Sequence, residues 1–142
     1  MLGLDLGERR IGIAISDPTA TLARPVKTVQ RGRSDEGAAE LLRAEIEELT
    51  SEEEIGTVVI GLPRKLDGQD TQQTPRVRQM IVLLSARIPI PIVTQDERLT
   101  SREAEERLAI RETDWRKRKA RLDAAAAAII LQDYLDAVKE RA

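Results

Sequence analysis

The chain of 142 residues contains neither cysteine nor histidine. The first absence excludes disulfides, thiolate zinc sites and cysteine nucleophiles. The second removes the commonest general base, every Ser-His-Asp triad and every imidazole metal ligand. Phenylalanine is also missing, and Trp115 and Tyr134 are the only aromatic residues. Nucleic-acid modules of the RRM or OB type stack bases on several aromatics, so they are disfavoured. The longest unbroken apolar run, Ala124 to Leu131, falls far short of the ~20 residues that span a bilayer. No charged-then-apolar leader opens the chain, which makes a soluble cytoplasmic protein with no membrane partner the expectation. Chemistry at neutral pH is left to carboxylates, lysine, hydroxyls, backbone amides or a bound metal.

Charge is what the chain has in abundance. It carries 23 basic and 25 acidic residues, for a net charge of −2. That balance excludes a uniformly basic coat but permits a local basic patch. The basic residues are 18 Arg and 5 Lys. Arginine suits bidentate phosphate contact, and genome composition produces the same bias. The length fits one domain over residues 1–142.

Hydrophobic periodicity gives the order of elements. Leu2–Leu6 and Ile11–Ile15 read as two strands joined by a tight turn at Gly7, and Leu22–Val29 as a third, with Pro25 marking an edge or an irregular ladder. Ala38, Leu41, Leu42, Ile46 and Leu49 fall at helical spacing over Asp35–Thr50. Ser51–Glu54 then reads as a solvated acidic surface. Thr57–Gly61 is a continuous β-branched run, the pattern of a strand buried on both faces. A polar loop, Leu62–Asp70, leads to a helix starting at Thr74-Pro75, where proline suits the first turn. Ile90–Thr94 reads as a strand whose flanking prolines favour an edge. Thr100–Glu103 fits a capping box. Glu112–Arg121 is basic without clear period and reads as a loop, and Leu122–Val138 is an alanine-rich last helix. The order β-β-β-α-β-α-β-α-α describes an α/β protein, a mixed sheet covered by helices.

Three acidic positions stand out. Asp5 lies near the end of an apolar strand, where a carboxylate needs compensation; a turn aspartate fits the same place. Asp96 and Glu97 follow a strand and precede a helix, where α/β proteins gather ligand sites; they would also favour a helix N-terminus. Asp123 opens the last helix after five basic residues in six, and it too suits a first helical turn. Together the three sit on the first strand, after the last strand and at the last helix, ends that a small sheet can bring together. Clustered carboxylates repel one another and invite Mg²⁺ or Mn²⁺. Two such ions roughly 3.5–4 Å apart support phosphodiester cleavage without histidine or cysteine.

Basic residues near these acids are candidate phosphate contacts. Arg116, Lys117, Arg118, Lys119 and Arg121 form a patch directly before Asp123, and Arg98 adjoins Glu97. A solvated loop is the plainer reading of the patch. Trp115 fits either base stacking or ordinary packing. Arg64 and Lys65 sit in the loop after Gly61-Leu-Pro63. No Walker loop occurs. Arg9 and Arg10 follow Asp5, and either substrate contact or local charge balance fits them.

With Gly3-Leu-Asp-Leu-Gly-Glu-Arg-Arg-Ile-Gly12, Val59–Pro63 with Asp67-Gly68, Asp96-Glu-Arg-Leu-Thr100 and Leu122–Ala126 assembled, the chain resembles the YqgF (RuvX-type) family of bacterial pre-16S rRNA nucleases and Holliday-junction-resolvase-like proteins. The resemblance covers essentially the whole chain. It implies an RNase H-like fold with a five-stranded mixed sheet flanked by helices. It further implies a nuclease dependent on Mg²⁺ or Mn²⁺, maturing the 5′ end of 16S rRNA in the cytoplasm, with pre-ribosomal particles, single-stranded or branched DNA as further partners. Carried over by motif, the catalytic acids are Asp5, Glu97 and Asp123, and the metal-holding acids are these three with Asp96, which shares the motif of Glu97. Because the chain begins two residues before Gly3, the first strand is expected to fray at its start.

Two other readings are kept. Asp5-Leu-Gly7 resembles the phosphate loop of actin-like and sugar-kinase-like ATPases, which clamp a nucleotide between two such domains; this chain supplies one. A non-catalytic RNA-binding or ribosome-associated module with structural carboxylates is the second. RNA against DNA, junction against linear strand and monomer against homodimer stay open at this point.

Overall fold

The computed structural model describes residues 1–97 and 115–141, with residues 115–122 and 140–141 described by backbone alone. In chain order the described elements are β1 (Leu2–Leu6), β2 (Arg10–Ser16), β3 (Ala23–Gln30), α1 (Asp35–Glu52), β4 (Val58–Leu62), α2 (Thr74–Ser85), β5 (Ile92–Asp96) and α3 (Trp115–Arg141). The strands form one mixed sheet in the order β3-β2-β1-β4-β5. The first three strands pair antiparallel, while β1–β4 and β4–β5 pair parallel. This is the RNase H-like architecture expected from the sequence.

Strand alternation splits the interior into two layers. Leu2 and Leu4, Ile11, Ile13 and Ile15, and Val58, Ile60 and Leu62 face one side. There they pack with Ala38, Ala39, Leu42 and Ile46 of α1 and Val77, Met80 and Leu84 of α2. Each large aliphatic side chain fully buried in this layer contributes roughly 1.5–3 kcal/mol of apolar burial. The opposite face carries smaller residues, among them Ala14 and Val59, which pack against Ala127, Ile130, Leu131 and Leu135 of α3. α3 crosses all five strands.

Glycines set how closely α3 approaches. A Cβ on Gly3 would stand 2.8 Å from Leu131 Cβ and 2.9 Å from the carbonyl oxygen of Ala127. Gly12 and Gly61 on the same face are pressed harder still by α3, Gly12 by its backbone and Gly61 by the Ile130 side chain. No side chain larger than hydrogen fits between helix and sheet at these three points.

The structure modifies several sequence expectations. α3 begins at Trp115, so the basic run is helix rather than loop, and Asp123 lies about two turns inside rather than in the first turn. Arg, Lys and Ala are strong helix formers and no breaker interrupts them, so the run is helical without an apolar period. α1 runs on to Glu52, absorbing Ser51 and Glu52 of the acidic stretch. β5 starts after both prolines and ends at Asp96. β3 and β5 are the sheet edges, as their prolines indicate, and the β2–β3 ladder shifts register at Ile13/Ala14, opposite Pro25. The chain start does not fray: the Met1 ammonium donates to Ser16 Oγ at 2.8 Å, and the Ser16 N–H donates to the Met1 carbonyl at 2.9 Å. The helix expected near the Thr100–Glu103 capping box lies outside the described residues. No helix among the described residues is long and apolar enough to cross a membrane.

Candidate active site

Asp5 is the next-to-last residue of β1, and alternation turns its side chain to the α3 face with Gly3. Glu97 directly follows β5, and its backbone N–H donates to the Leu62 carbonyl at 3.2 Å. That bond continues the β4–β5 ladder by one residue and fixes the carboxyl relative to the sheet. β4 lies between these strands, and its last residue on this face is Gly61. A Cβ on Gly61 would stand 2.7 Å from Glu97 Oε2 and 2.5 Å from Ile130 Cδ1. The missing side chain therefore opens the space through which Glu97 reaches across β4 to hydrogen-bond Asp5.

This pair is electrostatically unusual. Burial raises the Asp5 carboxyl to about 7, with the Asp123 charge adding to the rise, while the hydrogen bond from Glu97 opposes it. Burial likewise raises Glu97 to about 8, helped by the Asp5 charge, the shared hydrogen bond and the charge of Asp96. Two carboxylates cannot both ionise here without outside compensation. Glu97 Oε2 is moreover buried with no hydrogen-bond partner among the described residues.

Asp123 reaches the pair from α3. The Arg10 guanidinium meets it, with Nε 3.1 Å from Asp123 Oδ2, both side chains about three-quarters buried. Of the two roles open to Arg10, local charge balance is the one the geometry displays. Asp96 is not brought into the cluster. It is exposed, and the parity of β5 turns it to the face opposite Glu97, the face of Ile92 in the α1/α2 layer. Among the described residues no three acidic side chains already close round a common point as a metal cage.

The basic candidates divide similarly. Arg64 is occupied within its own loop, donating to the Gly68 carbonyl at 2.9 Å and lying 3.4 Å from Asp70 Oδ1. Lys65 and Arg9 are exposed. Arg116, Lys117, Arg118, Lys119 and Arg121 lie on the first turns of α3, and Arg98 lies outside the described residues. Gly12 and Gly61 stand in the sequence motifs, but no packing role was assigned to them there. Their signal was glycine inside an otherwise apolar strand, which marks close approach of another group.

The residues present suit a divalent cation. The donor set is all oxygen, it lies at the carboxyl ends of β1 and β5, one oxygen is orphaned, and the pair lacks positive charge.

The chain is similar to known proteins along nearly its whole length. The profile of the RuvX family, described as Holliday junction resolvase, matches residues 1–137. A relative from Maridesulfovibrio salexigens, named "Putative pre-16S rRNA nuclease", is 43% identical over 135 residues, covering 95% of this chain and 96% of its own. A relative of the same name from Chloroflexus aggregans is 40% identical over 137 residues, covering 96% and 93%. Among solved structures, T. thermophilus RuvC in complex with a Holliday junction substrate superposes with a TM-score of 0.55, covering 98% of this chain and 96% of that one. At 13% identity, that likeness speaks for the fold alone. A match that runs nearly end to end in sequence, on a fold with the same plan, places this chain in the RuvX family.

Proposed function

We propose that the protein is a divalent-metal-dependent nuclease that hydrolyses phosphodiester bonds through Asp5, Glu97 and Asp123. The observation that carries this is the buried Asp5–Glu97 pair, two carboxyls held together across a glycine with Glu97 Oε2 left unmatched. Structural carboxylates are normally matched by donors; this pair holds a proton in place of the positive charge it lacks.

Asp5, Glu97 and Asp123 would hold the metal. A divalent cation there supplies Lewis-acid stabilisation of charge on the phosphate and on the attacking oxygen. Asp5 and Glu97 release their shared proton and present oxygens to the site. Arg10 keeps Asp123 ionised and oriented. The close seat of α3 on Gly12 keeps bulk water from that side. Lys65 and Arg9, exposed at the same end of the sheet, are available to phosphate, and the basic run of α3 precedes Asp123 on the same helix.

The relatives' names point to precursor 16S rRNA as the substrate, with maturation of its 5′ end implied by the family resemblance, and the family's description points to branched DNA. The test is cleavage of labelled single-stranded RNA carrying a 16S leader, single-stranded DNA and a four-way junction, each with Mn²⁺, Mg²⁺ or EDTA, by wild type and Asp5→Asn. Metal-dependent cleavage lost in the variant supports the reading, and the preferred substrate selects between rRNA and junction. Folded protein that cuts nothing overturns it in favour of a non-catalytic RNA-binding module.

A further inference from the structure

A groove opens at the same end of the sheet as Asp5 but on the opposite face. Its main hollow, about 640 Å³, includes Leu6, the residue after Asp5, which alternation turns to the α1/α2 side. Three separate segments wall it: the β1–β2 turn with Glu8 and Arg9, the β3–α1 loop with Arg31 and Arg33, and the first turn of α2 with Arg76. A second hollow of about 460 Å³ shares Glu8 and Arg76 and continues to Pro63, directly after β4. The groove thus runs toward the strand end to which the Glu97 backbone is bonded.

Four arginines here face two acids. Arg31 is ion-paired with Asp35, and its Nε is buried with no hydrogen-bond partner among the described residues. Arg76 lies 3.4 Å from Glu8, with side chains 74% and 61% exposed. An exposed pair of this kind contributes about 0–1 kcal/mol at most and is readily exchanged for a ligand. Arg9 and Arg33 are exposed, and their side chains meet no acceptor among the described residues. Gly32, at φ +77°, makes the sharp bend that sets Arg31 and Arg33 on the same loop. α2 adds the positive end of its dipole, since no acidic residue occupies its first turn and Gln73 makes no side-chain cap. Among the described residues no aromatic ring lines the groove to stack a base. Its chemistry is that of repeated anions, not of a nucleobase.

We propose that this groove holds the phosphodiester backbone of the nucleic-acid substrate, with Arg9, Arg33 and Arg76 contacting successive phosphates on the face of the sheet away from Asp5. The identity of the ligand rests on the nuclease reading above. The contacts are sequence-independent and guide a strand round the sheet end to the carboxylates.

The test is fluorescence anisotropy in EDTA, where nothing is cut, with single-stranded RNA, duplex DNA and a four-way junction across a salt series. Wild type is compared with R9A/R33A/R76A and with R24A/R43A/R78A, a control that removes equal charge elsewhere. The groove variant should bind at least ~10-fold more weakly, with a salt slope on duplex shallower by about 2–3. The strand type that loses most is the ligand. Equal binding by wild type and groove variant, or an equal loss in the control, overturns the proposal. Arg33→Ala alone, removing a side chain with no partner among the described residues, should show a smaller loss of the same sign and guards against misfolding of the triple variant. The two readings fail separately. Cleavage by a wild type whose groove variant binds normally removes the groove and keeps the nuclease. Groove-dependent binding by a protein that cuts nothing does the reverse.

Discussion

Gly12 lies beneath the main-chain carbonyl of Asp123, so close that a Cβ on it would stand 1.9 Å from that oxygen. Gly12 is also the residue paired with Asp5 across the β1–β2 hairpin. One glycine therefore fixes two of the acids: it holds Asp5 through the ladder and seats Asp123 through the absence of a side chain.

Gly12→Ala should push α3 off the sheet. Overpacking of this kind costs about 1–3 kcal/mol or more, read as a lower Tm in a thermal melt, with cleavage falling in parallel. Gly56→Ala is the matched control, because nothing lies within 4 Å of a Cβ there; it should change stability by no more than about 0.5 kcal/mol. Equal melts for the two variants would show that the helix tolerates displacement.

The Asp5–Glu97 pair gives the metal-free protein a definite pH dependence. Both carboxyls titrate higher in the folded state, at about 7 and about 8, than their ordinary values of 3.8 and 4.5. The folded chain therefore binds more protons than the unfolded chain between about pH 4 and pH 8, and this pair's contribution to stability declines as pH rises through that window. Thermal melts in EDTA should fall across it. Saturating Mn²⁺ should raise Tm most at the alkaline end, where the pair is most in need of positive charge.

Asp5→Asn removes one of the two competing charges. Metal-free stability above neutral pH should rise by on the order of 1 kcal/mol, while metal-dependent cleavage is lost. Glu97→Gln should behave alike, and Asp96→Asn should leave cleavage within a few-fold of wild type. Cleavage lost in Asp96→Asn and kept in Glu97→Gln would reverse the assignment within the motif.

Arg10→Ala removes the ion pair between Arg10 and Asp123. With both side chains partly exposed, the cost should be about 1–2 kcal/mol, below that of breaking a fully buried pair. The metal concentration needed for half-maximal cleavage should shift; an unchanged value would show that Arg10 acts in folding alone.

Replacing Arg116, Lys117, Arg118 and Lys119 by alanine keeps helix propensity and removes charge. Helix content by circular dichroism should hold, while affinity falls across all sequences and its salt dependence flattens. Unchanged affinity would route the substrate elsewhere, leaving the Arg9–Arg33–Arg76 groove as the principal track.

The elements legible in the sequence were those with a period. The opening hairpin showed as alternation at Ile11, Ile13 and Ile15, and β4 as an unbroken β-branched run. The start of α3 was hidden because residues 115–121 carry no apolar stripe, although each is a fair helix former. The three acids could be picked out as carboxylates at element ends. The choice of Glu97 over Asp96 needed the parity of β5, which only pairing with β4 sets. Arg31, Arg33 and Arg76 carried no signal, because they belong to separate segments that meet only through the order of the strands.

The unbroken run of α3 from Trp115 past Asp123 makes the helix a phase-keeper. Each residue advances the backbone by about 100° and 1.5 Å. The bearing of the basic run relative to the acid is therefore written in residue count as much as in residue type. A single residue inserted between them would leave charge, composition and motif untouched, yet swing the cations by more than a quarter of a turn. On a flexible loop the same insertion would pass unnoticed.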